Sequence, residues 1–226
     1  MEAAILFDQL IVGGCEFECE DNVRDLGVHV SSTLNFDLHI RKKCQVAYSQ
    51  LRNLRCIRKH LTQNSIDILV HGLIHSQLDF CNGLFADIPA YQLNKLQRFQ
   101  NTAARLVTCA SNEERSSNLL ERLHWLPVQA RIMFKVLAIV FRVVKGTAPN
   151  YLRSMFTHAQ GSYRLRSSVC IQLSAPRHRT KIADRSLEVE GPKWWNVLPG
   201  HLKSADSETT FKSKLKTYLF KRFHNT

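Results

Sequence analysis

Residues 123–132 read LHWLPVQARI, and after Met133 and Phe134 the chain runs on as KVLAIVFRVVKG. The Trp-Leu-Pro step separates two helical patterns, and the reading of that step decides the fold. Pro127 disfavours the α region at Leu126, so a short helix with Leu119, Leu120 and Leu123 inward is expected to stop there. The pattern restarts at Val128 and ends at Gly146, with Pro149 just beyond, an ordinary stop signal. No side chain in LHWLPVQARI has an evident chemical task. The stretch therefore reads as a joint between packed helices, plugged by Trp125. It is no membrane entry, because Ile132–Val144 is interrupted by Lys135 and Arg142 and falls short of the ~20 apolar residues a span needs.

The same helical period extends upstream. From Asp37, residues Ile40, Cys44, Ala47, Leu51 and Leu54 repeat at three- and four-residue steps, with Arg41, Arg52, Arg55 and Lys59 on another side. Thr62 or Asn64 is placed to cap a second helix, whose stripe is Ile66, Leu69, Val70, Leu73, Ile74 and Leu78. Pro89 opens a third helix, carrying Leu93, Leu96, Phe99, Ala103, Leu106 and Val107. Near the end, Ser207 is placed to cap a last helix with Phe211, Leu215, Tyr218, Leu219 and Phe223 on one face. Lys212, Lys214, Lys216, Lys221 and Arg222 occupy the others.

The two remaining parts are less regular. AILFDQLIV (4–12) and CEFEC (15–19) flank Gly13-Gly14 and read as a hairpin, and VRDLGVHV (23–30) reads as one further strand. So few strands cannot make a stable sheet alone. Residues 161–200 are rich in Ser, Arg and Pro and read as loops and short strands with a brief helix at 183–190. The expected fold is mainly α with a small N-terminal β element. It divides into strands (1–36), a helical bundle (37–158), and a basic, irregular Pro/Arg/Trp-rich region ending in an amphipathic helix (159–226).

With 226 residues and 44% hydrophobic content, the chain can bury a core and is not disordered in composition. Its formal charge of +12 is unevenly distributed: residues 1–36 carry seven acids and one base, while the remainder carries 30 bases against 12 acids. Such a field attracts polyanions, with RNA or DNA the first candidate and an acidic partner or anionic membrane surface behind it. Seven cysteines without tight spacing, and an acidic start with only a short apolar run, point to a reduced intracellular compartment.

Few motifs carry chemistry. Cys15 and Cys19 lack a second pair, and His71 and His75, four apart, read as ordinary helix residues; no metal site is expected. There is no GxSxG, no glycine-rich phosphate cradle and no motif that calls for a cofactor. Glu113-Glu114, Glu188/Glu190 and Asp206/Glu208 each lack a third acid, so paired catalytic metals are not expected. Phosphate binding has more support. Arg41, Lys42, Lys43, Arg52, Arg55, Arg58 and Lys59 form one basic group with no acid among them. Arg164, Arg166, Arg177, Arg179 and Lys181 form another, interleaved with Tyr163 and His178. Tyr163, Trp194 and Trp195 could stack bases, although GPKWW reads first as a packed loop.

Several stretches, taken in order, carry a resemblance. They are VRDLGVHVSSTLNFDLHI (23–40), LVHGLIHSQLDFCNGLF (69–85), LNKLQRFQNTAARLV (93–107) and LERLHWLPVQARIMFKVL (120–137). KGTAPNYL (145–152), YRLRSS (163–168), GPKWWNVLP (191–199) and TFKSKLKTYLF (210–220) follow. Together they resemble the C-terminal part of the reverse transcriptase of non-LTR (LINE-type) retrotransposons. The resemblance implies that the LGV segment is the end of a polymerase palm and that a helical thumb and its downstream region follow. It implies a place for the basic helix near the template–primer duplex. The family's polymerising carboxylates, including a Tyr/Phe-x-Asp-Asp turn, lie in segments that nothing here matches. Ser31 also departs from the family pattern, which usually has Asp there, and the local turn is where that would be felt. The expected function is that of a non-catalytic remnant with RNA or DNA backbone affinity. The alternatives are a module that self-associates or binds a protein through exposed N-terminal strands, and a fragment of a longer active RNA-directed DNA polymerase.

Overall fold

A computed structural model describes residues 9–12, 15–18, 20–111, 113–158, 171–177 and 179–224. It is mainly helical, and the chain divides into two compact units, Met1–Lys43 and Cys44–Thr226.

In the first unit, β1 (Gln9–Val12) pairs antiparallel with β2 (Cys15–Glu18), Val12 opposite Cys15, as the glycine pair suggested. VRDLGVHV is not one strand but a second hairpin, β3 (Asn22–Asp25) against β4 (Val28–Ser31), with Asp25 opposite Val28. The connection places Leu26 at φ 43° and Gly27 at φ 86°, the two positive values that match the twist of a two-residue hairpin. Leu is a poor residue for the first of these positions, which is why the turn escapes a sequence reading. Ser31 organises the chain that follows. Its Oγ accepts from the Asn35 N–H (2.8 Å) and donates to the Asn35 carbonyl (3.0 Å). Asn35 Oδ1 in turn accepts from the Asp37 N–H at 3.0 Å, where α1 (Asp37–Ile57) begins.

In the second unit, the rest of α1 buries Ala47, Leu51 and Leu54. Thr62 caps α2 (Gln63–Val70) by accepting from the Ser65 N–H at 3.2 Å. The helix then widens to a π turn over His71–His75 before α3 (Ser76–Asp79). That insertion rotates the expected stripe: Ile66, Val70, Ile74 and Leu78 are buried, but Leu73 is 37% exposed and His75 only 3%.

Next come α4 (Ala90–Thr108), entered from Pro89, and α5 (Ser116–Arg122). α5 stops short of Leu126 and not because of Pro127. His124 adopts φ 53°, the Trp125 N–H bonds to the Leu120 carbonyl (2.8 Å), and the His124 N–H to that of Glu121 (2.9 Å). This left-handed closure saturates the end carbonyls first. α6 (Val128–Val144) ends in the same way at Gly146, φ 73°, with Thr147 N–H to the Arg142 carbonyl at 2.9 Å, as its glycine predicts.

The Trp-Leu-Pro corner between α5 and α6 is a joint in which side chains meet the backbone's needs. Gln97 Oε1 accepts from the first free N–H of α6, that of Val128, at 2.9 Å. The Leu126 carbonyl accepts from Gln100 Nε2 (2.9 Å) and Arg131 Nε (3.2 Å), and the Trp125 carbonyl from His224 Nε2 (3.1 Å). Trp125 is 5% exposed.

After α7 (Asn150–Ser154), β5 (Thr157–His158) pairs with β6 (Leu173–Ser174), and α8 (Lys181–Asp184) follows. The GPKWW segment is no loop: it lies inside α9 (Leu187–Val197), an eleven-residue helix containing Pro192. Tertiary packing overrides the poor local propensity here. A Cβ on Gly191 would sit 3.0 Å from Val140 Cγ2 and 3.1 Å from Phe156 Cε1, so glycine is what lets α9 lie close to α6. Trp195 donates its indole N–H to the Ile171 carbonyl (3.0 Å), and Asn196 holds both backbone groups of Leu173 (3.0 and 2.8 Å). α10 (Gly200–Lys203) leads to α11 (Glu208–His224), capped by Ser207 as expected. Phe211, Leu215 and Leu219 are fully buried in the cluster built on α6. Glu208 takes Arg142 Nε at 2.8 Å, tying the start of α11 to the last turn of α6. The Arg142 hydrogen bond, then that of Lys212, holds its carboxyl down to about 2. No helix among the described residues is long and apolar enough to cross a membrane.

Candidate nucleic-acid interface

The bases singled out by sequence do not behave alike. In the first unit Arg41 and Lys42 are exposed, Lys42 Nζ lying 3.3 Å from His29 Nε2, while Lys43 is buried. In the second unit Arg52 and Arg55, three apart on α1, are exposed, and so is Lys59 in the 3-10 turn Arg58–His60 that follows. None of these three has an ion-pair partner among the described residues. Arg58 is different: its guanidinium donates to the carbonyls of Leu106 (3.2 Å), Val107 (3.3 Å) and Leu61 (3.2 Å). It thereby caps the C-terminus of α4, and its charge complements the negative end of that helix. Arg177 and Arg179 are exposed. Arg164 and Arg166, with Tyr163 and His178, lie outside the described residues, as does the side chain of Lys181. Trp195 is buried and holds the Ile171 carbonyl, so it offers no face for a base to stack on.

The second unit also holds a cleft that sequence reasoning missed. Its volume is ≈ 540 Å³, and it is walled by the π turn, α3, the Trp-Leu-Pro corner, α6 and α11. Arg131 organises one wall: its Nη1 clasps both Asp79 oxygens (2.9 and 2.7 Å), and its Nη2 lies 3.1 Å from His75 Nδ1. A guanidinium only donates, so His75 Nδ1 accepts and its proton sits on Nε2. His71 Nδ1 lies 2.9 Å from the same atom. Burial, then Arg131, then His71 push the His75 imidazole down to about 2, so it is neutral. The rings of His71 and His75 meet Trp125 edge-on at 5.9 and 4.2 Å. The sequence signal was present as His71, His75 and Asp79 at four-residue steps, but only the fold brings Arg131 to them.

Among the described residues, no three His, Cys, Asp or Glu side chains gather as a metal site. No known protein-family model matches the chain, and no curated protein or solved structure matches it.

Proposed function

We propose that this chain is a non-catalytic, thumb-like part of a LINE-type reverse transcriptase that holds nucleic acid by its phosphates. The observation that supports this most is the exposed group of Arg52 and Arg55 on α1 and Lys59 just beyond it, none with an ion-pair partner among the described residues. Long flexible bases with no acid to neutralise them favour backbone contact over sequence readout. Arg58 and Lys43 are left out of the contact set, the first because it caps α4 and the second because it is buried. An RNA–DNA hybrid is the natural ligand of such a part, recognised by shape and backbone.

The test is binding of a labelled RNA–DNA hybrid by fluorescence anisotropy across a salt series. Affinity is expected to fall steeply with salt. Arg52→Glu, Arg55→Glu and Lys59→Glu together are expected to lower the log–log slope by about 3, since each phosphate contact contributes roughly 0.9. Salt-indifferent binding, or a triple variant that binds like the wild type, would refute the phosphate reading.

The non-catalytic half has its own check. Two-metal nucleotidyl transfer needs converging carboxylates, and no stretch of the chain matches the family's Asp-Asp turn. Pure protein given a primed template, nucleotides and magnesium or manganese is expected to yield no extended product, and any extension intrinsic to the chain would overturn that half.

A further inference from the structure

We propose that the cleft beneath Trp125 is a binding site for a nucleoside phosphate, with the phosphate at Lys135 and Lys216 and the base against the apolar wall. Lys135 reaches the cleft from α6 and Lys216 from α11. Both are exposed, and neither has an acid within ion-pair distance among the described residues. Asp79, the only carboxylate in the lining among the described residues, is already clasped by Arg131. The cleft therefore carries an excess of positive charge that an anion would neutralise.

The rest of the lining asks for more than an inorganic anion. Trp125, Leu126 and Phe134 give an apolar wall, and the volume of ≈ 540 Å³ lies within the usual range for a small organic ligand. A nucleoside phosphate joins the two features, an aromatic base for the apolar wall and an anion for the lysines. A π turn forms part of the wall, and such insertions recur at functional sites. Arg131 acts here as a positioning residue, its donors already engaged by Asp79, His75 and the Leu126 carbonyl.

The site does not depend on Arg52, Arg55 and Lys59, and the experiment keeps the two apart. Calorimetric titration of the full chain would use adenosine 5′-monophosphate, adenosine and inorganic phosphate. The monophosphate is expected to saturate a single site, with adenosine and phosphate each weaker by about tenfold or more, the worth of one charge-assisted hydrogen bond. Lys135→Gln with Lys216→Gln is expected to weaken the monophosphate by a similar factor without altering thermal unfolding, because both side chains are exposed. Arg52→Glu/Arg55→Glu/Lys59→Glu is expected to leave it unchanged. Competition by a short 5′-phosphorylated oligoadenylate would assign the site to a strand end, and lack of competition to a free nucleotide; either result upholds the site. Monophosphate binding no tighter than phosphate, or unaffected by the paired lysine changes, overturns it. If the hybrid still binds with a steep salt slope in that case, the phosphate-holding role stands and only the cleft falls.

Discussion

Phe211→Ala is expected to destabilise the second unit by about 4 kcal/mol, near the middle of the range for emptying a buried aromatic position. Phe211 has no exposed surface and lies at the start of α11. Its ring stacks on Phe141 of α6 at 4.2 Å with an interplanar angle of 14°, and Trp195 of α9 is 6.1 Å away. Three helices distant in sequence thus share one ring, and alanine would leave a void that none of them can close without losing its other contacts. Leu215 and Leu219 continue the same face and are equally buried. Denaturant unfolding followed by tryptophan fluorescence would measure the loss, with Trp194 and Trp195 reporting locally. A change below about 1 kcal/mol would mean that α11 does not pack on α6 through this ring.

The second large effect is acid sensitivity centred on His75. Its folded-state affinity for a proton lies far below the ordinary value of 6.5, at about 2. The stabilisation is therefore complete above the unfolded value and is lost as pH falls through and below it, because the unfolded chain then binds a proton that the folded one refuses. Between pH 7 and pH 5 the loss from this group alone is about 2 kcal/mol. His39 in the first unit, pushed down to about 4 by burial, Lys43 and His29, acts in the same direction. The comparison must therefore be between variants. His75→Asn keeps an acceptor for Arg131 and removes the titration. Its stability is expected to fall by about 2 kcal/mol less than the wild type's over that interval, measured by denaturant unfolding at each pH. Parallel losses in the two proteins would show that His75 is not held neutral by its surroundings.

Both effects arise where the sequence was only half legible. The stripe of Phe211, Leu215 and Leu219 could be read because one face of a helix must be apolar to be buried. What it packs on could not, since α6 is apolar on nearly every side and its pattern names no partner. His71 and His75 passed as ordinary helix residues because an α-helical period was assumed through them, and the π turn that buries His75 leaves no mark in composition. GPKWW was read as a loop from its Gly and Pro, yet the same glycine admits α9 to within contact of Val140 and Phe156. Arg58 stood among the candidate phosphate ligands on charge alone, and only the neighbouring end of α4 shows it holding the carbonyls of Leu106 and Val107.

The amino-acid order alone determined that the protein would be mainly helical, where α1, α2, α4, α6 and α11 begin, that Gly146 would end one of them, and that Trp-Leu-Pro would be a joint. These are local properties: side-chain period, caps, and the allowed backbone angles of Gly and Pro act within a few residues of one another. Tertiary structure alone decided which bases remain available, that His75 is neutral, and that Lys135 and Lys216 face a common cleft. Each of these depends on burial or on groups far apart along the chain, and neither desolvation nor long-range proximity is written in a local pattern.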